Sequence, residues 1–105
     1  ALTKTGAGTL VLGGNNTYGG ATTVSGGTLR LGAAERINNA TSITIDSGAT
    51  FDFNGLSETV ASITSNGSVV FGTGNTVTTA AAQTYTGAVS GGAVSLVSSS
   101  GGAIT

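Results

Sequence analysis

The chain has 105 residues and a net charge of −1, and only seven side chains are charged, so no basic stripe exists to neutralise phosphates and a nucleic-acid partner is not expected. It contains no Cys and no His, which closes off disulfides, thiolate metal sites and imidazole general bases. Gly, Ser, Thr and Asn supply 57 residues, yet Leu, Ile, Val and Phe still supply 24, in alternating order, and a near-zero net charge is not the pattern of a disordered chain. There is no run of 18 apolar residues and no charged-then-apolar leader, so neither a membrane span nor a signal peptide is expected in this segment. Ala1 stands where an initiator Met would, which suggests a trimmed piece.

Period-2 alternation predicts short strands, each with inward apolar residues around one outward residue. In chain order they are Leu10-Val11-Leu12, Thr22-Thr23-Val24, Leu29-Arg30-Leu31, Ile43-Thr44-Ile45, Phe51-Asp52-Phe53, Val69-Val70-Phe71 and Val94-Ser95-Leu96. Turn signals separate them: Gly13-Gly14-Asn15-Asn16, Gly26-Gly27, Ser47-Gly48, Asn54-Gly55, Asn66-Gly67, Gly72-Thr73-Gly74 and Gly91-Gly92. Helical signal is confined to Ala33–Ile37 and Thr79–Gln83, each too short to hold a helix alone.

Two pieces, "GTLVLG" from Gly8 and "GTLRLG" from Gly27, lie 19 residues apart, a spacing typical of solenoids. The strongest strands align through Leu10, Leu29, Phe51, Val69 and Val94, with steps of 19, 22, 18 and 25, one coil per step. A second inward column runs through Val24, Ile43 or Ile45, Val60 or Ile63, and Val77. Asn-Gly turns would also suit β-hairpins in an antiparallel sandwich. Parallel stacking is favoured, because a hairpin meander gives no reason for one strand to repeat another at that interval, whereas a β-helix sets like residues above like. The expected core ladder is therefore Leu10, Leu12, Leu29, Leu31, Phe51, Phe53, Val69, Phe71, Val94 and Leu96. The outward column reads Val11, Arg30, Asp52, Val70, Ser95, which sets Arg30 beside Asp52 on adjacent coils about 4.8 Å apart as an ion pair.

No catalytic residue, cofactor site or metal site is expected. A glycosidase needs two carboxylates about 5–10 Å apart; Asp46 and Asp52 are the candidates, and Asp52 has Arg30 as its neighbour. The Thr-x-Thr pairs Thr3/Thr5, Thr76/Thr78 and Thr84/Thr86 raise ice binding, but such an array must recur on one face of every coil, and the sequence does not display that. Asn15-Asn16-Thr17, Asn39-Ala40-Thr41 and Asn66-Gly67-Ser68 fit the glycosylation sequon and are read as turn asparagines.

The stretch from Leu2 to Gly32 closely resembles the autotransporter-associated β-strand repeat of Gram-negative passenger regions, at Lys4, Gly6, Gly8, Thr9, Leu10, Leu12, Gly14, Asn16, Tyr18, Gly20, Thr22, Val24, Gly27, Thr28, Leu29 and Gly32. Gly8, Asn16, Tyr18 and Gly27 are its repeat-pattern positions, and Lys4 and Tyr18 are read as covering a coil corner. The resemblance implies an all-β, right-handed parallel β-helix (β-solenoid), exported by type V secretion to the outer-membrane surface, and the spacing of the inward residues gives it about five coils. It implies a stalk or adhesin segment facing a host surface or extracellular matrix. The expected organisation is one segment, 1–105, with the recognisable repeat at 1–32, continuing coils at 33–74 and C-terminal coils at 75–105. The expected role is non-enzymatic scaffolding and help in secretion. The alternatives are a fibre subunit that stacks end to end and, more distantly, an ice-binding β-helix.

Overall fold

The computed structural model describes residues 2–13, 21–32, 41–92, 95–98 and 104–105. Among these residues there are thirteen short strands and no helix. The strands are β1 (Leu2–Lys4), β2 (Thr9–Leu12), β3 (Thr22–Val24), β4 (Thr28–Leu31), β5 (Ser42–Ile45), β6 (Thr50–Asp52), β7 (Glu58–Val60), β8 (Ser62–Ser65), β9 (Ser68–Val70), β10 (Thr76–Thr79), β11 (Gln83–Tyr85), β12 (Val89–Ser90) and β13 (Ser95–Ser98). Every strand pairing is parallel. The first sheet runs β1-β3-β5-β8-β11, the second β2-β4-β6-β9-β12, and the third β7-β10-β13. The chain therefore visits the sheets in turn and returns to the first one strand higher, winding a β-solenoid. Ile104 bridges Gln83 and opens another turn.

The second sheet carries the "GTLxLG" pieces in register, with Leu10 over Leu29 and Leu12 over Leu31, and continues through Phe51, Val69 and Val89. Leu29, Leu31, Phe51, Phe53, Val69 and Phe71 are all buried. Their rings stack through the interior: Phe51 lies 4.6 Å from Phe53, Phe53 5.1 Å from Phe71, and Phe71 meets Tyr85 edge-on at 5.6 Å, geometries that favour aromatic pairs. Leu12 is buried as well, but Leu10 is 37% exposed although it shares the column of Leu29. The reason is position, since β2 is the outermost strand of its sheet and no strand among the described residues pairs on its far side.

The top of the ladder differs from the sequence expectation. The residue stacked on Val69 is Val89, twenty residues on, and Val94 lies outside the described residues. Leu96 packs half-buried against the core, but from the third sheet, where it pairs in register with Val77. The outward column accordingly ends at Ser90, not Ser95. The second inward column also divides. Val24 stacks on Ile45, and Ile43 on Ile63, in the first sheet, whereas Val60 and Val77 belong to the third. The expected helical turn at Ala33–Ile37 lies outside the described residues, and Thr79–Gln83 runs from the end of β10 into β11.

Corners close because neighbouring coils almost touch there. A Cβ on Gly27, whose φ is +65°, would collide with the carbonyl oxygens of Gly8 and Gly6 on the coil beside it and with Lys4 Nζ. Asn75 pins the bend between the second and third sheets, its Nδ2 donating to Leu56 O and Phe71 O, both at 3.0 Å.

Candidate functional site: the corner, the carboxylates and the outer faces

Lys4 ends β1 on the inward side, in register with Val24 and Ile45, and is 8% exposed. Its Nζ donates to the carbonyl oxygens of Thr5 at 2.9 Å, Gly6 at 3.1 Å and Gly26 at 3.3 Å. The first two belong to its own corner and the third to the next coil's, so the ammonium fastens one coil to the next. Gly8, with a φ of +101°, presents its carbonyl to Thr28 N at 2.9 Å. Lys4, Gly8 and Gly27 thus meet at one corner, while Asn16 and Tyr18 lie outside the described residues.

The carboxylates do not gather. Asp52 Oδ2 accepts from Arg30 Nε at 2.9 Å, and its Oδ1 accepts from Asn54 N at 2.7 Å, which holds Asn54 at a φ of +54° ahead of Gly55. Arg30 and Asp52 are register partners, as the stacking of coils requires. Asp46 Oδ2 accepts from Ser25 Oγ at 3.0 Å across the first sheet. Sequence reasoning passed over Glu58, the buried carboxylate among the described residues, which lies in register with Val77 on the inward side of β7. The signal was available, because Glu58-Thr59-Val60 alternates into Val60 and a period of two puts Glu58 on the same face. Among the described residues no three His, Cys, Asp or Glu come close enough to share a metal ion, and no pocket opens. A partly buried polar contact at the far end joins Tyr85 and Gln83, with the phenol donating to Gln83 Oε1 at 2.7 Å and Gln83 Nε2 donating to Val97 O at 2.9 Å. Burial raises the Tyr85 phenol pKa well above its usual value.

The outer face of the first sheet corrects the sequence reading of threonine. Thr3, Thr23, Thr44, Thr64 and Thr84 stand in register, one on every strand of that sheet, so one threonine column does recur coil after coil. The Thr-x-Thr motif does not reveal it, because the outward neighbour two residues on is Thr5, Ser25, Asp46, Asn66 and Thr86 in turn, and in this sheet only the first and last strands spell the motif. The remaining pair, Thr76 and Thr78, lies on β10 in the third sheet.

Residues 2–31 match the family model of the passenger-associated-transport-repeat. The match spans β1 to β4, the two coils joined by Lys4, Gly8 and Gly27. No curated protein gives a significant match, and neither does any solved structure.

Proposed function

We propose that the chain is a non-enzymatic structural segment of a secreted or surface-displayed autotransporter passenger, acting as a stalk and aiding its own export by folding progressively. One observation carries this reading: among the described residues each strand pairs only with strands of the coils directly beside it. Stability in such a stack is a sum of coil terms and nearest-neighbour terms. A chain emerging unfolded from a pore can therefore fold coil by coil, with no contact waiting for a distant segment. The passenger repeat at residues 2–31 fits the same role, and Asp46 and Asp52 are occupied by Ser25 and Arg30.

The test is to place the segment upstream of an outer-membrane translocator barrel and follow surface arrival by protease accessibility in intact cells. The expected result is efficient display of a protease-resistant segment, and slower display when Phe51→Ala weakens the middle coil. A segment that stays in the periplasm, or reaches the surface no better than an unfoldable glycine-serine chain of equal length, would refute the proposal.

A second reading is favoured by the ends of the stack. Leu10 and Val11 are exposed at one end, and Val89, Val97 and Ile104 at the other. Leu10 and Val89 terminate the same inward column, so a further coil placed at either end continues it. That coil belongs either to the same chain or to a second copy, and in the second case the segment grows into end-to-end fibres. Sedimentation of the purified segment distinguishes them: assemblies that lengthen with concentration support self-stacking, and a monomer at high concentration removes it.

A further inference from the structure

The outer face of the first sheet presents more than one column. One residue past the end of each strand, Thr5, Ser25, Asp46, Asn66 and Thr86 follow the same stack at the corner, with Ser25 N donating to Lys4 O, Asp46 N to Val24 O, Asn66 N to Ile45 O and Thr86 N to Ser65 O. Successive strands place like positions about 4.8 Å apart, so the polar groups form a net of two rows along the stack, one on the strands and one on the corners that follow them. The second set is tied along the stack, with Ser25 Oγ donating to Asp46 Oδ2 at 3.0 Å and Thr86 Oγ1 to Asn66 Oδ1 at 2.7 Å. The five central hydroxyls have no hydrogen-bond partner among the described residues. β-Branching keeps each of them in few rotamers, with a methyl beside the hydroxyl.

The chemistry of the net narrows its occupant. No aromatic ring and no cation stands in either column, and Asp46 is the one ionisable group. Protein partners are usually anchored through aromatic residues and Arg. Phosphate-bearing partners need Lys or Arg. The columns supply neither set, nor rings on which a sugar would stack. What the threonine column offers is an uncharged row of unpaired hydroxyls and methyls about 4.8 Å apart, flanked by a corner row that carries one carboxylate and whose Ser25–Asp46 and Thr86–Asn66 side chains are already paired. The oxygens of crystalline water repeat in one direction at a distance close to that spacing.

We propose that this face binds ice. The methyls shed loosely held water and the hydroxyls take up lattice positions on the crystal surface, so affinity arises from the register of many weak contacts rather than from a pocket. The inference rests on the sheet face and does not depend on the export reading.

Thermal hysteresis and crystal shape, followed microscopically with the purified 105-residue chain, test it. The expected result is faceted crystals and a gap between melting and growth temperatures. Thr64→Tyr, at an exposed position of the column, should abolish both while the circular dichroism spectrum and melting temperature hold. Thr3→Tyr, at the edge of the sheet, serves if Thr64→Tyr does not fold. Thr59→Tyr on the third sheet should leave the gap unchanged. Unshaped crystals and no gap beyond that of albumin would overturn the proposal. So would equal loss in Thr59→Tyr, or retention on crystalline cellulose matching retention on ice.

Discussion

Phe51→Ala tests the stacking energetics most directly. Phe51 is fully buried, with Leu29 on one side of it in the ladder and Val69 on the other, and its ring lies 4.6 Å from Phe53. Truncation removes the transfer free energy of the ring and leaves a cavity that flanking coils fill poorly, a combined cost of about 3–5 kcal/mol. The contact with Phe53 accounts for about 0.5–1.5 kcal/mol of it. Against a total stability of about 5–15 kcal/mol for a small domain, that is a large fraction. Urea unfolding followed by far-ultraviolet circular dichroism should show the midpoint falling by about 1 M or more. Leu10→Ala is the matched control, since Leu10 occupies the same column at the uncovered end; its expected cost is about 1 kcal/mol, because less apolar area leaves water there. Equal losses at the two positions, or a loss below about 1 kcal/mol at Phe51, would refute the ladder as the source of stability.

Lys4→Met keeps the apolar stem but removes the donor that three carbonyls share, so about 1–3 kcal/mol should be lost in the same urea assay, more than a purely hydrophobic account of the core allows. At alkaline pH the Tyr85 phenol should govern a fall in stability. The unfolded phenol ionises near pH 10, whereas the folded one holds its proton to higher pH because burial disfavours phenolate. Its contribution is therefore fully present below about pH 10 and is lost above it, where the unfolded state releases its proton first. Urea midpoints measured from about pH 8 to about pH 11 should decline at the upper end, and Tyr85→Phe should flatten that decline.

What the sequence made legible follows from contrast between apolar and polar positions. Leu10-Val11-Leu12 and Leu29-Arg30-Leu31 alternate cleanly, and their recurrence was enough to indicate parallel stacking and to place Arg30 against Asp52. The third sheet was hidden because its inward residues include Glu58 and Thr79, both buried, which read as outward by composition. β11 was hidden for the same reason, with Gln83 inward and satisfied by Val97 O and Tyr85. Without those two elements the spacing from Val69 ran on to Val94 instead of stopping at Val89. The threonine column escaped for a different reason. It is a property of register between coils, and no window within a single strand contains it.

The corners between the first and second sheets vary in length while the strands they join do not shift. Four residues make this bend in the first turn, Thr5 to Gly8, and only two, Asn66 and Gly67, in the fourth. Yet the threonine and phenylalanine columns on either side stay in step. Gains and losses of sequence are thereby sorted by where they fall. A residue added at Ser47-Gly48 lengthens a bend already known in several sizes, whereas one added inside β5 would turn Ile45 outward and bring its polar neighbour into the core. A solenoid built this way can acquire surface loops at one edge, and carry foreign peptides there, without renegotiating its interior.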